Sequence, residues 1–467
     1  MDYAMDRATL WSLRLGFSSK EAQKIQSMGI ESFLDASFTS KVRLDVPNFL
    51  RESPKSLGEV RELRQRLKAK NPDSVRELVR KEVQVSQQMK DWWLEQMMAA
   101  AFPLREKMTC FWHNHFVATY QKVKMNHWIL DHNQLLREGA FGNFKTLTKQ
   151  VVQSNAMVRY LDNVDNKKGK INENLSRELL ELFTLGIGNY SEDDIKNGAK
   201  GLAGLGLGQD GAQYRKIFED NDFITYFGKT GRFKAADLVD IIFEQKAAPY
   251  LITRKILKWF IYDVPPEDLV RYYGDYFREV DFEIQPLLRK MVTEEFAKNT
   301  AGSKIKDPLL YILQLKNELH ITTLSPRLIT IFLRQQGMDL FGQPNVKGWN
   351  GGTEWLSSQI YLQRHNAADL LCNRRALPGN NPLNGEVMAV KNPPRRLEIA
   401  LDFDATGNHK TIIAALQNRL LYDTTPEMQA EFESILKYDF DPKSEGAEHA
   451  VLRLFNAMVK RPEFQLL

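Results

Sequence analysis

The sequence predicts an all-α fold: a large multi-helix globular protein with long ordered Gly/aromatic loops and at most one short β-hairpin. Apolar residues recur at three- and four-residue spacing along most of the 467 residues, as helices with one buried face require. Strand-like character is confined to 204–233, where Gly204, Gly206, Gly208 and Gly211 precede Phe223, Ile224, Tyr226 and Phe227. No period of about 20–50 residues recurs, so a solenoid is not supported.

The elements follow in order. Ala8 to Leu15 is a short amphipathic piece, and Ser19 caps a helix from about 20. Residues 56–70 and 74–100 are charged with apolar positions at helical spacing, ending in Trp92, Trp93, Met97 and Met98. Pro103 suits a first helical turn. Helices are predicted over 104–119, 122–138 and 143–155, with a break at Gly139 and Gly142. A polar loop at 163–170 leads to a strong helix at 173–184 that stops at Gly186. Ser191 then caps a helix whose first turn carries Glu192, Asp193 and Asp194, where the helix dipole favours acids. Helices resume at 235–245 and 248–261, continue after Pro265-Pro266 to about 298, and restart at Lys306-Asp307-Pro308. Residues 338–355 read as an ordered Gly/aromatic loop. The division that follows is a helical region at 1–100, a central core at 101–372, a Pro/Asn-rich connection at 373–397 and a helical region at 398–467.

Composition excludes several classes. A net charge of +5 over so long a chain is no nucleic-acid footprint. No window approaches the roughly 18 apolar residues of a membrane span. Cys110 and Cys372 alone build neither a disulfide scaffold nor a cysteine-based zinc site. Asp2, Asp6 and Arg7 interrupt any apolar leader, which predicts a cytoplasmic chain, or an exported one from which the signal peptide is absent.

Two segments carry candidate chemistry. Phe111-Trp112-His113-Asn114-His115-Phe116 packs two imidazoles and an amide among aromatics. On a helix His113 and His115 lie about 200° apart, so only one can face a given site. In Asn172-Glu173-Asn174-Leu175-Ser176-Arg177-Glu178-Leu179-Leu180-Glu181-Leu182-Phe183 the charged residues share one arc and the leucines the other. If this helix turns its acids toward the imidazoles, His115, Asn114, Glu178 and Arg177 form an acid–base site. His113, His115, Glu178 and Glu181 are then candidate ligands for a divalent metal, the expected cofactor. Hydrolysis is the preferred reaction, because no cofactor fingerprint is visible. The alternative is a non-catalytic binding or assembly module that acts with a protein partner. In that reading the polar cluster is a structural staple and Trp349 and Trp355 of the late loop bind the partner. Gly204-Leu-Gly-Leu-Gly lacks the dinucleotide-binding spacing, and Gly228-Lys229-Thr230 lacks the first glycine of a phosphate loop.

Taken together these motifs resemble the bacterial domain-of-unknown-function 1800 family over nearly the whole chain. The resemblance rests on Leu13-Arg-Leu-Gly-Phe17, Met108-Thr-Cys-Phe-Trp-His-Asn-His-Phe116, Asn172 to Gly186 and Tyr190 to Ile195. It continues through Phe227-Gly-Lys-Thr-Gly231, Arg254-Lys-Ile-Leu257, Pro344 to Gly352 with Trp355, and Arg461-Pro-Glu-Phe-Gln465. It implies a mostly helical protein and, from a family encoded beside relatives, a partner similar to sulfatases; it implies no established activity. The chain departs from the family pattern at Phe183, where relatives often have His, and at Leu202-Ala203-Gly204-Leu205, where they often read Leu-Thr-Gly-Trp.

Overall fold

Local signals set the first helix. Asp6 accepts the Thr9 N–H at 3.1 Å and caps Arg7–Leu15 (α1). Arg14 on this helix is buried and donates to the Thr300 carbonyl at 2.6 Å and to Ser303 Oγ at 3.1 Å, which ties the start of the chain to its middle. The computed structural model describes residues 5–70, 73–379 and 396–467. Among them are 22 α-helices packed around one continuous apolar core, as the periodicity predicts. No helix among the described residues is long and apolar enough to cross a membrane. Of the connection expected at 373–397, residues 380–395 lie outside the described residues.

The β content differs in one respect. Two antiparallel pairs form where at most one hairpin is expected. Leu205–Gly206 (β1) pairs with Gln213–Tyr214 (β2), and Ile224–Tyr226 (β3) with Lys229–Gly231 (β4). The first pair is two residues long on each side and lies among glycines, too short for any alternation to register in the sequence. Leu205 is buried, so the family departure there keeps an apolar anchor.

The helices that carry the motifs are shorter than predicted. The helix expected over 104–119 ends at His115, where Phe116 leaves helical geometry (Leu104–His115, α2). The next expected helix is split into Tyr120–Val123 and Asn126–Glu138 by Lys124 in a left-handed conformation. The third is split at Ser154, whose side chain accepts the Met157 N–H and starts a new helix. Asn174–Glu178 (α3) runs into a π-helical turn over Leu179–Thr184. Ala248–Phe260 (α4) packs against that turn and against Glu267–Glu279. Pro249 in its first turn is compatible with helix initiation.

Candidate active site

His113 and His115 face opposite ways, as their angular separation demands. The His113 side joins a buried staple that the sequence reading did not contain. Arg137 grips Glu106 with two hydrogen bonds, at 2.7 and 3.0 Å. It also donates to Asn133 Oδ1, and Asn133 Nδ2 donates to His113 Nε2 at 3.0 Å. Trp93 Nε1 donates to Glu106 at 2.9 Å and its ring packs on His113. Burial, then the neighbouring His132 and Arg137, hold the His113 imidazole far below its ordinary titration range. It is a neutral acceptor inside the core. The i,i+4 spacing of Asn133 and Arg137 was the available signal for this network.

His115 belongs to a different arrangement, created by the π-helical turn. Leu185 and Gly186 both turn their N–H back to the Leu180 carbonyl. The Leu182 and Phe183 carbonyls are left for other donors. Lys255, from α4, donates to the Leu182 carbonyl at 2.9 Å, and His115 Nε2 donates to the Phe183 carbonyl at 3.1 Å. The pair is closed by Lys255 Nζ donating to His115 Nδ1 at 3.1 Å. These roles require the Nε2–H tautomer of a neutral imidazole. Burial and the adjacent Lys255 ammonium keep it neutral, holding its pKa well below the usual value. A negative helix end is a favourable place for a cation, yet burial and nearby Lys258 bring Lys255 down to about 8. The family departure at Phe183 leaves this bond intact, because the backbone supplies the acceptor. The Phe183 ring is buried against Phe116 and His115, with centroids 5.2 and 5.8 Å away.

Lys255 opens onto a cavity of about 240 Å³. Phe111, Trp259, Trp349 and Trp355 form its aromatic walls, and Lys258, Lys304 and Lys347 join Lys255 against one carboxylate, Asp263. Lys304 donates to the Lys258 carbonyl at 2.9 Å and lies 3.7 Å from Asp263. Burial brings its pKa to about 8. The late loop is locked onto the first motif by Asn114, whose Oδ1 accepts the Trp349 N–H at 2.6 Å. Gly348 makes this possible. Its φ of +84° suits glycine, and a Cβ there would collide with the Asn114 carbonyl and side-chain oxygens. Trp349 and Trp355 are both buried, so the rings expected to meet a partner line this cavity instead. A larger open cleft of about 980 Å³ lies beside Trp128, His127 and Asp131. The smaller cavity is the better candidate, since segments near residues 111, 255 and 350 converge on it and its charge has one dominant sign.

The acids of the second motif are arranged otherwise than expected. Arg177 pairs with Glu173 at 3.2 Å and with Glu192 at 3.0 Å near the surface. Glu181 accepts the Tyr190 hydroxyl at 2.9 Å. Glu178 is half-buried. Burial and its neighbour Glu181 raise its pKa, against the pull of Lys347 and Arg177. The expected His–carboxylate pair is not formed, because both His115 nitrogens are taken by Phe183 and Lys255. The side chains of α3 point along its arc as predicted, but the π turn presents carbonyls, not carboxylates, to the imidazole. Among the described residues no three His, Cys, Asp or Glu side chains are grouped to hold a metal ion. The proposed ligands His113, His115, Glu178 and Glu181 do not come together as one set.

Fold and site define an all-α protein in which separated sequence motifs close around a basic, aromatic-walled cavity. The family model described as "Protein of unknown function (DUF1800)" matches residues 8–466, and the chain belongs to that family. No curated protein and no solved structure matches it.

Proposed function

We propose that the cavity at Lys255 captures a small anionic ligand with a flat or apolar body, and that this capture is the protein's working step. The carrying observation is the gathering of Lys255, Lys258, Lys304 and Lys347 around one recess with Asp263 as the sole acid in its lining. Cations held in a recess of low polarity attract an anion more strongly than the same cations on open surface. The aromatic walls supply apolar contact beside the charge, the usual composition of a small-molecule site. Hydrolysis by a His115–carboxylate pair fits less well, since neither ring nitrogen is free to take a proton from water. His115 is better suited to holding the Lys255 amine in place.

Binding of inorganic phosphate and of benzoate, measured by titration calorimetry, tests this. Both should bind in wild type and weaken at least about tenfold in Lys255→Met, the size of one lost charge-assisted contact. The sign with pH is set by the amines. An anion favours the protonated lysine, so affinity is full only well below pH 8 and declines as pH rises through the range near 8 where Lys255 and Lys304 lose their protons. Failure of both probes to bind, or affinity that rises above pH 8, removes the reading.

A further inference from the structure

We infer that Lys255 is an imine-forming nucleophile and that the natural ligand of the cavity is a small anionic aldehyde or ketone. This rests on the anion-binding reading and names its substrate class. The argument is geometric. An uncharged lysine amine has two N–H bonds and one lone pair. Here two acceptors sit in hydrogen-bond reach, His115 Nδ1 at 3.1 Å and the Leu182 carbonyl at 2.9 Å. When Lys255 is neutral they hold both N–H bonds, and the lone pair takes the remaining tetrahedral direction. Neither acceptor offers a proton that could cap it, because the single N–H of His115 is spent on the Phe183 carbonyl. Lys255 is part of the cavity wall, so the amine is within reach of a bound ligand. A purely structural lysine would be sealed from solvent or paired with a carboxylate, as Lys107 is with Asp307 at 3.2 Å. Lys255 has no carboxylate partner among the described residues.

The surrounding groups complete the step. Burial keeps a useful share of the amine neutral near pH 7–8, which is how amine nucleophiles are activated. Lys258 and Lys304 remain to pair with the ligand's anionic group and to lend a proton. The lone pair attacks the carbonyl carbon, a C–N bond forms as the C=O π bond breaks, and one proton passes from the attacking nitrogen to the carbonyl oxygen. The resulting carbinolamine expels its hydroxyl as water with one proton from Lys258 or Lys304, and the nitrogen lone pair closes a protonated C=N bond. One N–H survives on that iminium nitrogen and still donates to one of the two acceptors. No oxidant or metal is needed.

Glyoxylate with sodium cyanoborohydride provides the test, since reduction of the imine leaves a stable carboxymethyl group on the lysine. Peptide mass spectrometry of the folded full chain should find Lys255 labelled at least about tenfold faster than the median surface lysine. Neutral acetaldehyde should show no such preference, and inorganic phosphate should slow the glyoxylate reaction at Lys255. His115→Gln should reduce the labelling rate at Lys255, because the amine loses one of the two acceptors that orient it. Even labelling across surface lysines, or an unlabelled Lys255, overturns the inference. If phosphate binds and Lys255 is not selectively labelled, only the imine inference falls. If phosphate and benzoate both fail to bind, the anion-site reading falls with it.

Discussion

Replacing Lys255 by Met should change how stability depends on pH, and the size of that change follows from the site. The folded-state pKa is about 8 against an ordinary 10.5. Between those values the unfolded chain binds more protons than the folded one, so stability rises with pH across this window. The penalty for keeping the ammonium charged falls from about 3.4 kcal/mol at pH 7 to about 2.0 kcal/mol at pH 9, by 1.36 kcal/mol per pK unit. Solvent reaching the half-buried side chain reduces the difference from about 1.4 to roughly 0.7–1.2 kcal/mol. Other groups run the opposite way: burial raises both Cys110 and Cys372, whose unfolded thiols ionise near pH 9. The comparison therefore has to be between variants. Urea unfolding at pH 7 and pH 9 should show wild type gaining about 1 kcal/mol more than Lys255→Met over that interval. The Met variant also leaves the Leu182 carbonyl without its donor, which lowers stability at both pH values and cancels in the difference. Parallel pH dependence in the two proteins would show that the ammonium is not desolvated and would refute the reasoning.

Three further outcomes follow. Arg137→Met should lower stability by about 3–5 kcal/mol, because it strands the Glu106 carboxylate in the core; an unchanged thermal midpoint would contradict the staple. Gly348→Ala should retain the helical circular-dichroism signal yet weaken phosphate binding at least about fivefold, through displacement of the late loop from Asn114; equal binding would mean that the loop does not shape the cavity. Glu178→Gln should leave stability within about 0.5 kcal/mol at pH 7, since the half-buried carboxylate repels Glu181 and is no part of the core staple; a loss above about 3 kcal/mol would make it one.

Much of this architecture is legible in the sequence, and the exceptions have identifiable causes. Spacing alone separates His113 from His115, because side-chain direction on a regular helix is fixed by residue number. The cap at Ser191 is readable for the same reason, and the structure extends it to a capping box: Ser191 Oγ accepts the Asp194 N–H and the Asp194 carboxylate accepts the Ser191 N–H. What periodicity cannot carry is a change of helical type. The turn over Leu179–Thr184 looks like α-helix in composition, so the acids look like the groups facing His115, whereas backbone oxygens do. Lys255 stands in the family-like segment Arg254-Lys-Ile-Leu257, but as one of 64 basic residues it shows no chemistry there; the tertiary approach of two acceptors supplies it. The fine breaks at Phe116, Lys124 and Ser154 fall where local hydrogen bonds outweigh an apolar pattern that runs straight through.

The π turn has an evolutionary corollary. A helix that closes six residues with one surplus unit can be returned to ordinary pitch by losing a single amino acid between Leu179 and Thr184. Such a deletion would leave the leucine stripe nearly in phase, so the protein could still fold. It would, however, draw the two terminal oxygens back into the helix and leave Lys255 and His115 without their anchors. Among descendants of this chain, the length of that short segment should track whether the pocket is still in use.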